Sequence, residues 1–143
     1  RIMADDNNGA LWSLPKGVDP GKIPVVDIVG DKLQALVKKY AANYKESMLS
    51  PTEQAAIKKA FDEKQYWLAN LLKAQAKGRI IERQVRDEAK ITKELSHLDW
   101  RSKGIDITDP KTGITYDVMS DSDNNIRTHV MRMPNTIWRL ITF

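Results

Sequence analysis

The chain has 143 residues, 41% of them apolar, which is enough for one ordinary domain with a packed core. It has no cysteine, which excludes disulfides, zinc–thiolate sites and thiol nucleophiles. The formal net charge of +4 is a mild basic bias compatible with a polyanionic partner, and no stretch approaches the ~18–20 apolar residues of a membrane-spanning helix.

The chain begins at Arg1 with no secretory leader pattern and reads as a piece of a longer protein. Residues 1–30 are dense in turn-formers: Asp5-Asp6-Asn7-Asn8-Gly9, Pro15, Gly17, Pro20, Gly21 and Pro24. They predict an extended, loop-rich lead-in, pinned by Trp12 and Leu14, with Val25 to Val29 as a short strand or tether. Asp31 is the expected cap of a helix to about Tyr44, its apolar stripe running through Leu33, Leu36, Val37 and Tyr40. Ser50-Pro51-Thr52-Glu53 is a capping-box start for a second helix, carried on through Ile57, Phe61, Leu68 and Leu72. Gly78 is expected to end or break it, and a further helix then runs from Arg79 to about Leu95.

Beyond Leu95 the period changes. Gly104 to Thr108 reads as a strand, Asp109-Pro110-Lys111-Thr112-Gly113 as a turn, and Ile114 to Met119 as the antiparallel partner. A helix from about Asp123 to Met133 stops at Pro134, and Ile137 to Phe143 reads as a last strand. The expected class is α+β: a helical N-terminal part packed on a small, largely antiparallel sheet. Its C-terminal core is helix-strand-strand-helix-strand. The division falls near residue 78, with 1–77 as the loop-rich lead-in and helical part and 78–143 as the C-terminal core. Cation usage changes at the same place. Up to Lys77 there are eleven lysines and one arginine, and from Arg79 onward seven arginines and four lysines. The arginine fork grips phosphate at two points, whereas exposed pairing with acids is the plainer use.

The chemistry is expected in the last 65 residues or so. Asn125, His129 and Arg132 recur at i, i+4 and i+7, so they share one helix face, while Ile126, Val130 and Met133 line the inward one. Ser120 and the first N–H groups of that helix suit a phosphate. His129 titrates near neutrality and serves as general acid or base in RNA cleavage, where the substrate supplies its own 2′-OH nucleophile. His97 is read as structural. Glu82 on a helix, followed by Asp106 and Asp117 on successive strands, resembles the core of the PD-(D/E)xK nucleases. That resemblance would imply Mg²⁺, yet Met119 stands where the superfamily has its lysine, so no metal ligands are assigned. Arg86 lies one helical turn from Glu82, and Tyr116, Trp100 and Trp138 are candidates for stacking on bases.

One run carries a wider resemblance: Trp100-Arg101-Ser102-Lys103-Gly104-Ile105-Asp106, Asp109-Pro110-Lys111-Thr112-Gly113 and Tyr116-Asp117-Val118-Met119-Ser120. Asn125, His129, Arg132 and the final Trp138-Arg139-Leu140-Ile141-Thr142-Phe143 complete it. Over residues 79–143 it is similar to the C-terminal tRNase domains of CdiA-type contact-dependent growth inhibition toxins. The resemblance implies delivery as part of a larger cell-surface or secreted protein, action in the target-cell cytoplasm, and tRNA as substrate. It also implies neutralisation by a cognate immunity protein, expected to be acidic, and dependence of some members on host elongation factor Tu. The catalytic expectation is His129, Asp117, Asp106, Glu82 and Ser120, with Arg86, Lys103, Tyr116, Asn125 and Arg132 contacting the substrate. The alternatives are a metal-dependent DNase and a non-enzymatic protein-binding module.

Overall fold

The computed structural model describes residues 2–5, 9–101 and 106–143, the side chains of Ile2 and Asp106 excepted. The N-terminal segment is a hairpin rather than a lead-in. β1 (Ile2–Asp5) and β2 (Leu11–Leu14) pair antiparallel, with Gly9 at φ 81° in the connection. Trp12 and Leu14 alternate along β2 and are fully buried. β2 lies beside β6 (Trp138–Thr142), so the chain's two ends meet in one sheet.

β3 (Asp99–Trp100), β4 (Asp106–Thr108) and β5 (Thr115–Met119) complete it, in the order β1-β2-β6-β5-β4-β3. β5 and β6 run parallel and the other described pairings are antiparallel. A parallel neighbour needs a crossover, and α4 (Asp123–Arg132) supplies it. The expected turn forms between β4 and β5: Gly113 N–H donates to the Asp109 carbonyl at 2.7 Å, with Gly113 at φ 76°.

α1 (Ile28–Ala42) starts three residues before the expected cap. Asp27 caps it, its Oδ1 accepting from Gly30 N–H at 3.0 Å, while Asp31 is free to pair with Arg139. Val25 and Val26 are exposed and Ile28 and Val29 belong to α1, so no strand forms there. α2 (Pro51–Asp62) carries the expected capping box, with Ser50 and Glu53 bonded reciprocally at 3.1 and 3.0 Å. The helix break falls at Glu63–Gln65 instead of Gly78. Lys64 takes φ 61°, and two bonds, Lys64 N–H to Phe61 O and Gln65 N–H to Ala60 O, close a Schellman motif. α3 (Tyr66–Ile91) then runs unbroken through Gly78. One mid-helix glycine costs only about 1 kcal/mol, which the packing of a long helix outweighs.

α3 works on two sides. Ala69, Ala76 and Ile80 pack with Leu49, Ile57 and Ala60 of the α2 region, and Ile81, Val85 and Ala89 pack with α1 on the sheet. α1 and α3 thereby cover one face through Leu33, Val37, Ile107, Tyr116, Val118 and Ile141. α4 covers the other through Val130 against Met119, Trp138 and Leu140. The boundary expected near residue 78 lies mid-helix, and the sheet draws strands from both sides of it.

Candidate active site

Strand alternation decides what β5 offers to each face. Tyr116 and Val118 point into the α1–α3 core; Asp117 and Met119 belong to the α4 face. Asp117 is buried, and its Oδ2 lies 3.3 Å from Nδ1 of His129, which is held above it on α4. α4 is fixed at its start by Ser122, which caps Asn125 N–H at 3.2 Å. The Asn125 side chain donates to the Ser120 carbonyl at 3.1 Å, tying the helix to the end of β5. Helix and strand are therefore in fixed register, and the His129–Asp117 pair with them.

Two cavities flank this pair. One, of about 360 Å³, is lined by Asp117, Asn125, His129, Arg132 and Trp138. The other, of about 570 Å³, lies between α4 and α3 and is lined by His129, Asn125, Ser120, Glu82, Arg79, Gly78 and Phe143 among others. Glu82 and His129 thus face one cleft from opposite walls. Burial pushes the Glu82 carboxyl above its ordinary value; Arg86 opposes that rise and the charge of Asp117 adds to it. The Trp138 indole N–H is buried with no partner among the described residues.

The expected site residues divide accordingly. His129, Asp117, Glu82, Ser120, Asn125 and Arg132 come together around the two cavities. Arg86 lines neither; it is half-buried and acts on the charge of Glu82. Asp106 is the Cα partner of Asp117 across β4–β5, its side chain being outside the described residues, as is Lys103 altogether. Tyr116 is a correction. Its ring is fully buried on the opposite face and its hydroxyl donates to Asp27 at 2.7 Å, so it lines neither cavity. Burial drives its hydroxyl far above the ordinary tyrosine range. Trp100 is half-buried against the same core. His97 bonds Asp109 at 3.0 Å behind the β4–β5 turn and lines neither of these cavities. Sequence reasoning missed Gly78 and Gln75 as cleft residues. With Glu82 they share one face of α3, legible once the helix is read through Gly78.

The pKa shift of Glu82 gives a stability test. A carboxyl raised in the folded state stabilises the fold when protonated. That contribution is complete below the ordinary 4.5 and is lost as pH rises through the raised value. Near neutral pH the charged form is a cost. Glu82→Gln should therefore raise Tm near pH 7, with the gain shrinking towards pH 4. A gain that is absent, or equal at both pH values, would contradict the burial argument.

Comparison with models of known protein families, with curated proteins and with solved structures found no match. Among the described residues no helix is long and apolar enough to cross a membrane.

Proposed function

We propose that the chain is an endoribonuclease, the toxic end of a CdiA-type contact-dependent inhibition protein, and that it cuts tRNA in the target-cell cytoplasm. One observation carries the reading. A histidine oriented by a buried aspartate shares a cleft with a carboxyl whose pKa is raised by burial, and an arginine stands beside it. That set suits a reaction whose nucleophile belongs to the substrate.

With Asp117 holding Nδ1–H, the lone pair of His129 lies on Nε2. Nε2 takes the proton from the 2′-OH as O2′ bonds to phosphorus. The P–O5′ bond breaks, and Glu82, in the fraction whose protonation burial favours, gives its proton to O5′, leaving a 2′,3′-cyclic phosphate and a free 5′-hydroxyl. Arg132 offsets the charge that builds on the phosphoryl oxygens. Asn125 and Ser120 hold the helix and strand that carry the pair. No step requires a metal. A PD-(D/E)xK mechanism would need a lysine where Met119 is packed, only 1% exposed, against Val130 and Trp138.

Brief expression in a susceptible bacterium tests this, with total RNA run on a denaturing gel and the nucleoid stained. Shortened tRNA with an intact nucleoid is expected, and the His129→Ala protein should lose the effect. Intact tRNA with a degraded nucleoid would favour the DNase built on Glu82, Asp106 and Asp117. Growth arrest with neither change, together with no cleavage of purified tRNA in vitro when elongation factor Tu is supplied, would favour the binding module. The immunity protein should be acidic, covering the arginine-rich half, and its affinity should fall as salt rises. A salt-independent affinity would contradict that.

A further inference from the structure

Trp67 is the one tryptophan that is mostly exposed, at 71%; Trp12 and Trp138 are buried and Trp100 is half-buried. It is not isolated. Trp67, Leu71, Ala74, Gly78 and Glu82 recur at four- and three-residue steps and form one stripe along α3. The inner four line the cavity that His129 shares. Trp67 continues the stripe outward, about 22 Å from Glu82 along the helix axis.

Gly78 sits within this stripe. Glycine weakens a helix interior relative to alanine, and a Cβ there would meet nothing within 4 Å, so packing does not account for it. Its bare backbone keeps the stripe low where it enters the cavity. The flanks are cationic. By helical spacing Lys77 stands on one side of the stripe and Arg79 on the other. Arg79 pairs with Glu53 at the surface, a contact weak enough for a polyanion to displace.

We propose that this stripe is the track for the single-stranded flank of a nucleic-acid substrate whose reacting phosphate lies at His129, with Trp67 as the platform on which a base stacks. The inference rests on the nuclease reading. An exposed indole, a flat approach and cationic margins are what sequence-tolerant binding of an unpaired strand requires. The charge argues against an apolar helix as the occupant.

The test uses the His129→Ala chain, which does not consume its ligand, and a fluorescein-labelled single-stranded RNA of about 12 nucleotides, read by anisotropy. Adding Trp67→Ala should weaken binding about 5- to 100-fold, the range for loss of one stacked base. Trp67→Phe should retain most of the affinity, and Gly78→Leu should weaken it by filling the track. In the chain with His129 intact, Trp67→Ala should leave cleavage of a dinucleotide unchanged, since that substrate is too short to reach the indole. Equal RNA affinity with and without Trp67 would overturn the track and leave this face to a protein partner. Failure of the nuclease reading looks different: the His129→Ala chain binds no RNA and the unaltered chain cleaves none.

Discussion

Asp27→Ala should cost about 3–5 kcal/mol of stability, a large part of the ~5–15 kcal/mol that holds a domain of this kind together. Asp27 and Arg139 are the charged pair at the centre of the α1 face, each side chain about 5% exposed. The Arg139 Nη1 donates to Asp27 Oδ2 at 3.0 Å, the Tyr116 hydroxyl donates to Oδ1 at 2.7 Å, and Gly30 N–H donates to the same oxygen. Removing the carboxylate leaves the buried guanidinium with Asp31 as its remaining counter-charge, strands a phenol in the core and uncaps α1. Asp31, the other partner of Arg139 at 2.8 Å, is 59% exposed, so Asp31→Ala should cost no more than about 1 kcal/mol. Gly30→Ala should resemble Asp27→Ala, because a Cβ there would overlap both the Asp27 carboxylate and the Arg139 guanidinium. Urea midpoints followed by circular dichroism measure all three. An Asp27→Ala protein within about 1 kcal/mol of its parent would show that the pair is not essential to the fold. Replacing both partners by leucine and methionine should recover much of the loss, since it is the unpaired charge that is expensive.

On the proposed mechanism, Asp117→Asn should leave the fold intact and lower tRNA cleavage by about 10²- to 10⁴-fold. The change is isosteric, so the 3.3 Å approach to His129 Nδ1 is preserved in outline. What changes is the tautomer. An amide can present N–H to Nδ1 and move the ring proton to Nε2, where the base is needed. It also withdraws the negative charge that stabilises the imidazolium formed on proton transfer. His129→Ala should cost as much, and the double variant little more than either alone, because the two side chains act as one unit. Single-turnover cleavage of purified tRNA across a pH series reads this. An Asp117→Asn protein retaining more than about a tenth of the activity would remove Asp117 from the mechanism.

Both residues show where sequence reading succeeds and where it stops. Spacing alone places Asn125, His129 and Arg132 on one face, because helical periodicity is a local property. That His129 sits over Asp117 needed the β5–α4 connection and the alternation of β5. That alternation also removed Tyr116 from the site: a period of two puts Tyr116 and Asp117 on opposite faces, whatever their chemistry suggests. Glu82 reaches the same cleft only because α3 continues through Gly78, against the local breaker signal. Lys64, which makes the actual break, has neither the glycine nor the asparagine that usually marks such a position.

The sequence by itself determined the elements whose signals are local, within about two helical turns, and the class that their order defines. These are the capping box at Ser50, the turn from Asp109 to Gly113, the polar face of α4 and the α+β class. Tertiary structure alone decided the position of the N-terminal hairpin, the Arg139–Asp27 pair and the meeting of Glu82 with His129. In those cases the partners lie about 50 to 130 residues apart. Their pairing follows from which apolar faces can be buried together, a condition that no short stretch of sequence expresses.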